Sequence, residues 1–96
     1  MKRLPPALVA AARSPDTMLR RIAAQALAEI HDPATVDVLI ELSSVDDAEV
    51  RRRVVEALGS IGSAKAAQAL LRAAKDANVG VRRAAVEALG EIAKNQ

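Results

Sequence analysis

Residues 50–62 read VRRRVVEALGSIG, and near-copies flank that stretch: LRRIAAQALAEIH at 19–31 and VRRAAVEALGEIA at 81–93. The arginine pairs Arg20-Arg21, Arg51-Arg52 and Arg82-Arg83 fix one offset of 31 residues, with no insertion between copies. In each copy the apolar positions fall at i, i+4, i+7, i+8 and i+11, from Leu19 to Ile30, Val50 to Ile61 and Val81 to Ile92. That spacing is one stripe of an α-helix. A second pattern, Leu8-Val9, Leu39-Ile40 and Leu70-Leu71, recurs between the copies with the same offset. The unit is therefore a pair of helices, and a helical period of this length belongs to a stacked array rather than to a globule with one central core.

The units divide at about 1–31, 32–62 and 63–96, within one domain over 1–96. Asp16, Asp47 and Asn78 each stand three residues before the leading apolar residue of a copy. Side chains of these types cap helix N-termini by accepting a free backbone N–H. At the corners, Asp32 is the expected cap with Pro33 at the first helical position, and Gly62 ends one helix where Ser63 caps the next. Shorter helices are expected at about 5–13, 33–43 and 64–75. Gly59 and Gly90, with Ala28 at the same position of the first copy, are small enough to let a paired helix approach closely. Met1-Lys2-Arg3 and the apolar run behind it have the outline of a signal peptide. Pro5-Pro6 interrupts that run, and Leu8-Val9 keep the repeat register, so the segment reads as the first helix.

The pattern D-x-x-V-R-R-x-A-x-E-A-L-G-x-I-G runs through 47–62, with Val54 at the first alanine, and through 78–93, with Asn78 and Ala93 at its two ends. It resembles the short HEAT repeats of the phycobilisome bilin-lyase-like subgroup, and the likeness covers essentially the whole chain. The first copy departs most, with Ala28 for the glycine and His31 for the terminal glycine. The resemblance implies an all-α fold, a right-handed α-solenoid of three helical hairpins. It also implies that Arg20, Arg51 and Arg82 engage an aspartate of their own or a neighbouring repeat. Asp16 and Asp47 match that aspartate, and Asn78 does not. A further implication is that the helices around Leu8, Leu39 and Leu70 line the inner, concave surface.

The formal net charge of +2 is spread as +3 over 1–31, −4 over 32–62 and +3 over 63–96. Such alternation argues against a continuous polyanion-binding stripe. Cysteine and aromatic residues are absent, so disulfides, thiolate metal sites and base stacking have no carriers. His31 is the only imidazole and falls at a helix C-terminus, a structural position. Asp46, Asp47 and Glu49 lack the alternating ligands and glycine of a calcium loop, and read as helix-start acids. The segment 59–62 has G-x-x-G wording but is a helix end. The expectation is a chain with no catalytic, cofactor or metal residues, not an enzyme, in the cytoplasm and without a membrane segment.

Polar positions on the long helices repeat almost unchanged. Those on the short helices vary, and varied chemistry suits a particular ligand. Asp37, Glu41, Gln68, Arg72 and Lys75 are therefore the candidate contacts to a protein partner. Arg21, Arg52 and Arg83 should meet Gln25, Glu56 and Glu87 at i+4, although an arginine row could also take duplex phosphates. In the last copy Val81, Ala85, Leu89 and Ile92 are expected to lack a covering helix, which implies a longer array or self-association through the C-terminal helix. The leading functional expectation is a non-enzymatic protein-interaction scaffold. Bilin attachment to phycobiliproteins is the alternative that the resemblance implies, and nucleic-acid binding ranks third.

Overall fold

The computed structural model describes residues 4–30 and 32–95. Among these residues are six α-helices: α1 (Pro6–Ala12), α2 (Thr17–Glu29), α3 (Val36–Leu42), α4 (Ala48–Ile61), α5 (Ala64–Ala73) and α6 (Val79–Lys94). No strand occurs among the described residues. Helices α1 and α2, α3 and α4, and α5 and α6 pack as hairpins, and the three hairpins stack in series as a helical solenoid.

Each long helix begins where its capping side chain sits. Asp16 accepts from the Met18 and Leu19 N–H groups, Asp47 from Glu49 and Val50, and Asn78 from Val81. Ser63 caps α5 through the Ala66 N–H, after Gly62 has ended α4 at φ 71°, a left-handed value that favours glycine. At the first corner Asp32 accepts from Ala34, but the chain then makes a 3-10 turn over Pro33–Thr35 before α3 starts. Helix α3 is shorter than the sequence implies for this reason. Thr35 is fully buried in the turn and donates to the Asp32 carbonyl at 2.8 Å, a bond that favours the tighter winding.

Leu27, Leu39, Leu42, Leu58 and Leu70 are fully buried, and alanine and valine fill the space between them. With such small side chains the helices must approach closely to remove voids. The approach is closest between α4 and α6, where a Cβ on Gly59 would lie 2.5 Å from the Ala88 Cβ. The two rows of helices differ. Helices α2, α4 and α6 pack directly on one another, whereas α3 and α5 meet lightly. The stack therefore curves with the long helices on its inner side. That reverses the expectation that the short helices around Leu8, Leu39 and Leu70 line the concave surface.

A second correction concerns the last copy. Val81 and Ala85 are fully buried, because α5 closes a hairpin over them and α4 covers their flank. Leu89 and Ile92 are partly buried against the core, and the exposed large apolar residues of the last hairpin are instead Leu71, Val79 and Val86.

Candidate functional site

Of the three arginines expected to form a ladder with aspartates, only Arg51 meets one, while all three bond backbone carbonyls. Arg20, Arg51 and Arg82 each donate to the carbonyl six residues back, those of Ser14, Val45 and Asp76, so the register is kept in backbone contacts. The carboxylate bridges run forward to the next repeat. Arg51 bonds both oxygens of Asp76 at 2.8 and 3.0 Å, and Arg21 reaches Asp47 at 2.8 Å. Arg20 lacks such a bridge because Val45 stands where Asp76 stands one repeat later, and its Nε is buried without a partner.

The Arg51–Asp76 pair is largely sheltered, with side-chain exposures of 17% and 11%. The hydrogen bond from Arg51 holds the Asp76 carboxyl below its ordinary value against the opposing effect of burial, and Arg21 does the same for Asp47. A carboxyl lowered on folding binds its proton less readily in the folded chain than in the unfolded one. Its contribution is therefore complete above about pH 4 and is lost as pH falls through the lower folded-state value. Arg51→Ala should lower stability by about 2 kcal/mol, since it strands both a charged acceptor and the Val45 carbonyl. Arg20→Ala should cost less than half as much in the same urea titration, and equal losses would reject the bridge as the difference between them.

These pairings also engage two of the three arginines of the other row, Arg21 and Arg52. Arg52 bonds Glu56 at i+4, as expected, and Glu49 at i−3. Arg53 bonds Glu49, and Arg21 crosses to Asp47 instead of meeting Gln25. Among the described residues Arg83 forms no ion pair. A phosphate-binding stripe would have to break most of this network.

The candidate partner-contact residues Asp37, Glu41, Gln68, Arg72 and Lys75 are all exposed. They lie along α3, α5 and the turn after α5, on the outer row. Two of them already join neighbouring hairpins: Glu41 accepts from Arg13 at 2.8 and 3.0 Å, and Asp37 from Lys65 at 3.2 Å. Variation along this row therefore reflects stacking contacts in part. His31 lies outside the described residues, and the acids at 46–49 act as the sequence suggested, with Asp47 as a cap and Glu49 in the first turn of α4. No group of three or more metal-ligating side chains occurs among the described residues. No described helix is long and apolar enough to cross a membrane.

The inner row carries a cleft that the sequence reading missed. It lies between α4 and α6, has a volume of about 860 Å³, and has a floor of Gly59, Ala84 and Ala88. Glu56, Glu87 and Glu91 stand on its walls. A smaller cleft of about 270 Å³ follows between α2 and α4, where Glu29 joins Glu56. Of these carboxylates Glu29 and Glu91 sit in the last turns of α2 and α6, where the helix dipole is also negative. The inner face thus carries carboxylates over a floor of small residues, two of them paired with cations, Glu56 with Arg52 and Glu91 with Lys94. The signal was available in the recurrence of an acid at 56 and 87, but it emerges only once the long helices are known to face inward.

A family model described as HEAT repeats matches residues 5–90. The chain belongs to the HEAT-repeat family. Among solved structures, these HEAT repeats are similar to the complex of CpcE and CpcF of phycocyanin lyase from Nostoc sp. PCC7120, at 28% identity and a TM-score of 0.79. The match covers 96% of this chain and 38% of that one, so the HEAT repeats span well under half of the chain they resemble. No curated protein matches the sequence. The expectation that the chain is not an enzyme is corrected by this likeness, since the similar structure is of a lyase. That expectation rested on the lack of a catalytic constellation, and a repeat array need carry none in its own sequence.

Proposed function

We propose that the chain is the partner-gripping repeat module of a lyase-type assembly, and that it seats a protein partner along the inner cleft between α4 and α6. The observation that carries this reading is the cleft itself, with its small-residue floor and the carboxylates Glu56, Glu87 and Glu91 on its walls. A floor of alanine and glycine admits a helix or extended segment close to the backbone, and the walls favour lysine or arginine on that segment. The rigid stack needs little ordering on binding, which limits the entropic cost. The similarity to a two-protein lyase complex supports the same setting.

That similarity also favours a second reading, in which the chain takes part in bilin attachment to a phycobiliprotein. One experiment addresses both, with an unpigmented phycocyanin subunit as the probe. Titration followed by anisotropy should show saturable binding that Glu56→Gln with Glu87→Lys weakens about tenfold or more, a loss of roughly 1.4 kcal/mol. Arg72→Glu, on the outer row, should leave it unchanged. Binding lost with Arg72→Glu but kept in the cleft variant would move the surface to α3 and α5, and no binding at all would reject the proposal. Adding free bilin to the bound mixture tests the second reading, through the appearance or absence of a shift in visible absorbance.

A further inference from the structure

Two positions of α2 hold large apolar side chains that the core does not use. Met18 is 62% exposed and Ile22 is 59% exposed. Their register equivalents on α4 are Glu49 and Arg53, which bond each other at 2.9 Å across one helical turn. Helix α4 has a long helix on both sides, yet the Glu49 and Arg53 side chains keep exposures of 39% and 40%. Stacking on both sides thus leaves long side chains at these positions partly in solvent, and a further hairpin beyond α2 would not by itself cover Met18 and Ile22. On α6 the same positions are Gly80 and Ala84, which have no length to reach outward. A large apolar pair where the middle repeat keeps an exposed ion pair marks a surface that another molecule covers.

Met18 and Ile22 line a groove of about 210 Å³ between α2 and α4, together with Val50 and Arg53. The charges bordering it are already matched, Arg21 with Asp47 and Arg53 with Glu49. What the groove has left to offer is apolar surface. Gln25 and Arg53 also line the smaller cleft that follows along the same two helices, and Glu56 and Ser60 are common to that cleft and the larger one against α6. The three make one trough along the inner face. Towards its far end Glu29 and Glu87 form no ion pair among the described residues. Ile22 and Glu29 stand two turns apart on α2, about 10 Å along the trough.

Resting on the reading of the inner face as a protein seat, we propose that the seated segment is an amphipathic helix. Its aliphatic side chains cover Met18 and Ile22, and its lysine or arginine side chains, two turns further on, meet Glu29 and reach over α4 toward Glu87. A groove between two helices that run side by side accepts the ridge of a third. The aliphatic turn removes the exposed pair from water, and the basic turn answers the carboxylates that lack a cation. Because the two ends of the trough differ, the helix lies in one direction only.

Anisotropy titration of the full chain with two labelled helical peptides of about three turns each tests this. One peptide carries leucines one turn apart at one end and lysines at the other, and the second has serine for each leucine. The leucine peptide should bind about tenfold more tightly or better. Met18→Glu with Ile22→Arg copies the charged pair of α4 onto α2, so the double variant should keep its helicity and melting temperature while binding the leucine peptide no better than the serine one. Glu29→Gln should weaken both peptides. Equal binding of the two peptides by the natural chain, or a leucine preference that survives in the double variant, overturns the inference, while serine-peptide binding that Glu87→Lys weakens would leave the cleft reading standing. A large fall in the melting temperature of the double variant also overturns it, since Met18 and Ile22 would then serve the fold. Binding of neither peptide overturns the inference too, and the phycocyanin titration then decides the cleft reading separately.

Discussion

Gly59→Val is expected to cost about 3 kcal/mol and to lower the melting temperature by about 15 °C. The added side chain begins 2.5 Å from the Ala88 Cβ and 3.0 Å from its Cα. A flexible side chain could swing away from such an overlap, but a methyl fixed to its own backbone and the backbone carbon behind it cannot. Relief must come from moving α6 away from α4, which opens voids along the most intimate contact of the stack. Calorimetry of the purified variant checks the expectation. The informative comparison is Gly59→Ala, which gains about 1 kcal/mol of helix propensity and still places a Cβ at the same point. A net loss for alanine as well as valine would show that the close approach outweighs propensity, and a gain for alanine would show that α6 can withdraw at little cost.

Leu58→Ala should have the other large effect, about 3 kcal/mol within the range for deleting a fully buried leucine. Leu58 is fully buried in the middle hairpin, with packed helices on both sides of α4. Its register equivalents make a graded series. Leu27 is also fully buried but lies on the first long helix, which has another long helix on one side only, and Leu89 on the last is partly exposed. Denaturant titrations should rank the losses Leu58, then Leu27, then Leu89. A small domain has about 5–15 kcal/mol in total, so Leu58→Ala alone should leave a measurable unfolded population at physiological temperature. Equal losses at all three positions would contradict serial burial.

Much of this architecture could be read from residue types alone, because the repeat multiplies weak signals. One aspartate before an apolar residue is a common sight. Asp16, Asp47 and Asn78 at equal spacing are a cap that recurs, and all three cap in the structure. The small residue at position 59 was legible as a site of close approach, although the helix that approaches it belongs to the next hairpin rather than its own.

What escaped the sequence depends on breaks in the repeat or on relations between repeats. Asp76 has Val45 and Ser14 as its equivalents, so the Arg51–Asp76 bridge exists once and leaves no periodic trace. Arg21 was assigned to its own helix because i+4 neighbours are visible in a sequence, whereas Asp47 lies across a turn and a helix. The side toward which the stack curves comes from a difference in packing between two rows of helices. Both rows are amphipathic, so pattern alone does not distinguish them. The inner cleft was hidden by the same ambiguity: Glu56 does pair with Arg52, as its i+4 spacing suggests, but that it also lines a cleft with Glu87 depends on which face of the helix points inward.

Every expectation above depends on each hairpin being buried by its neighbours, with the middle one covered on both sides. Amide hydrogen exchange on the dilute, monomeric chain tests that dependence most directly. The account predicts the slowest exchange in α4, faster exchange in α2 and α6, and the fastest in α1, with Leu58 and its neighbours opening only on global unfolding. Exchange in α2 or α6 slower than in α4 would contradict it, because a stack held together by nearest neighbours cannot be firmest at an end.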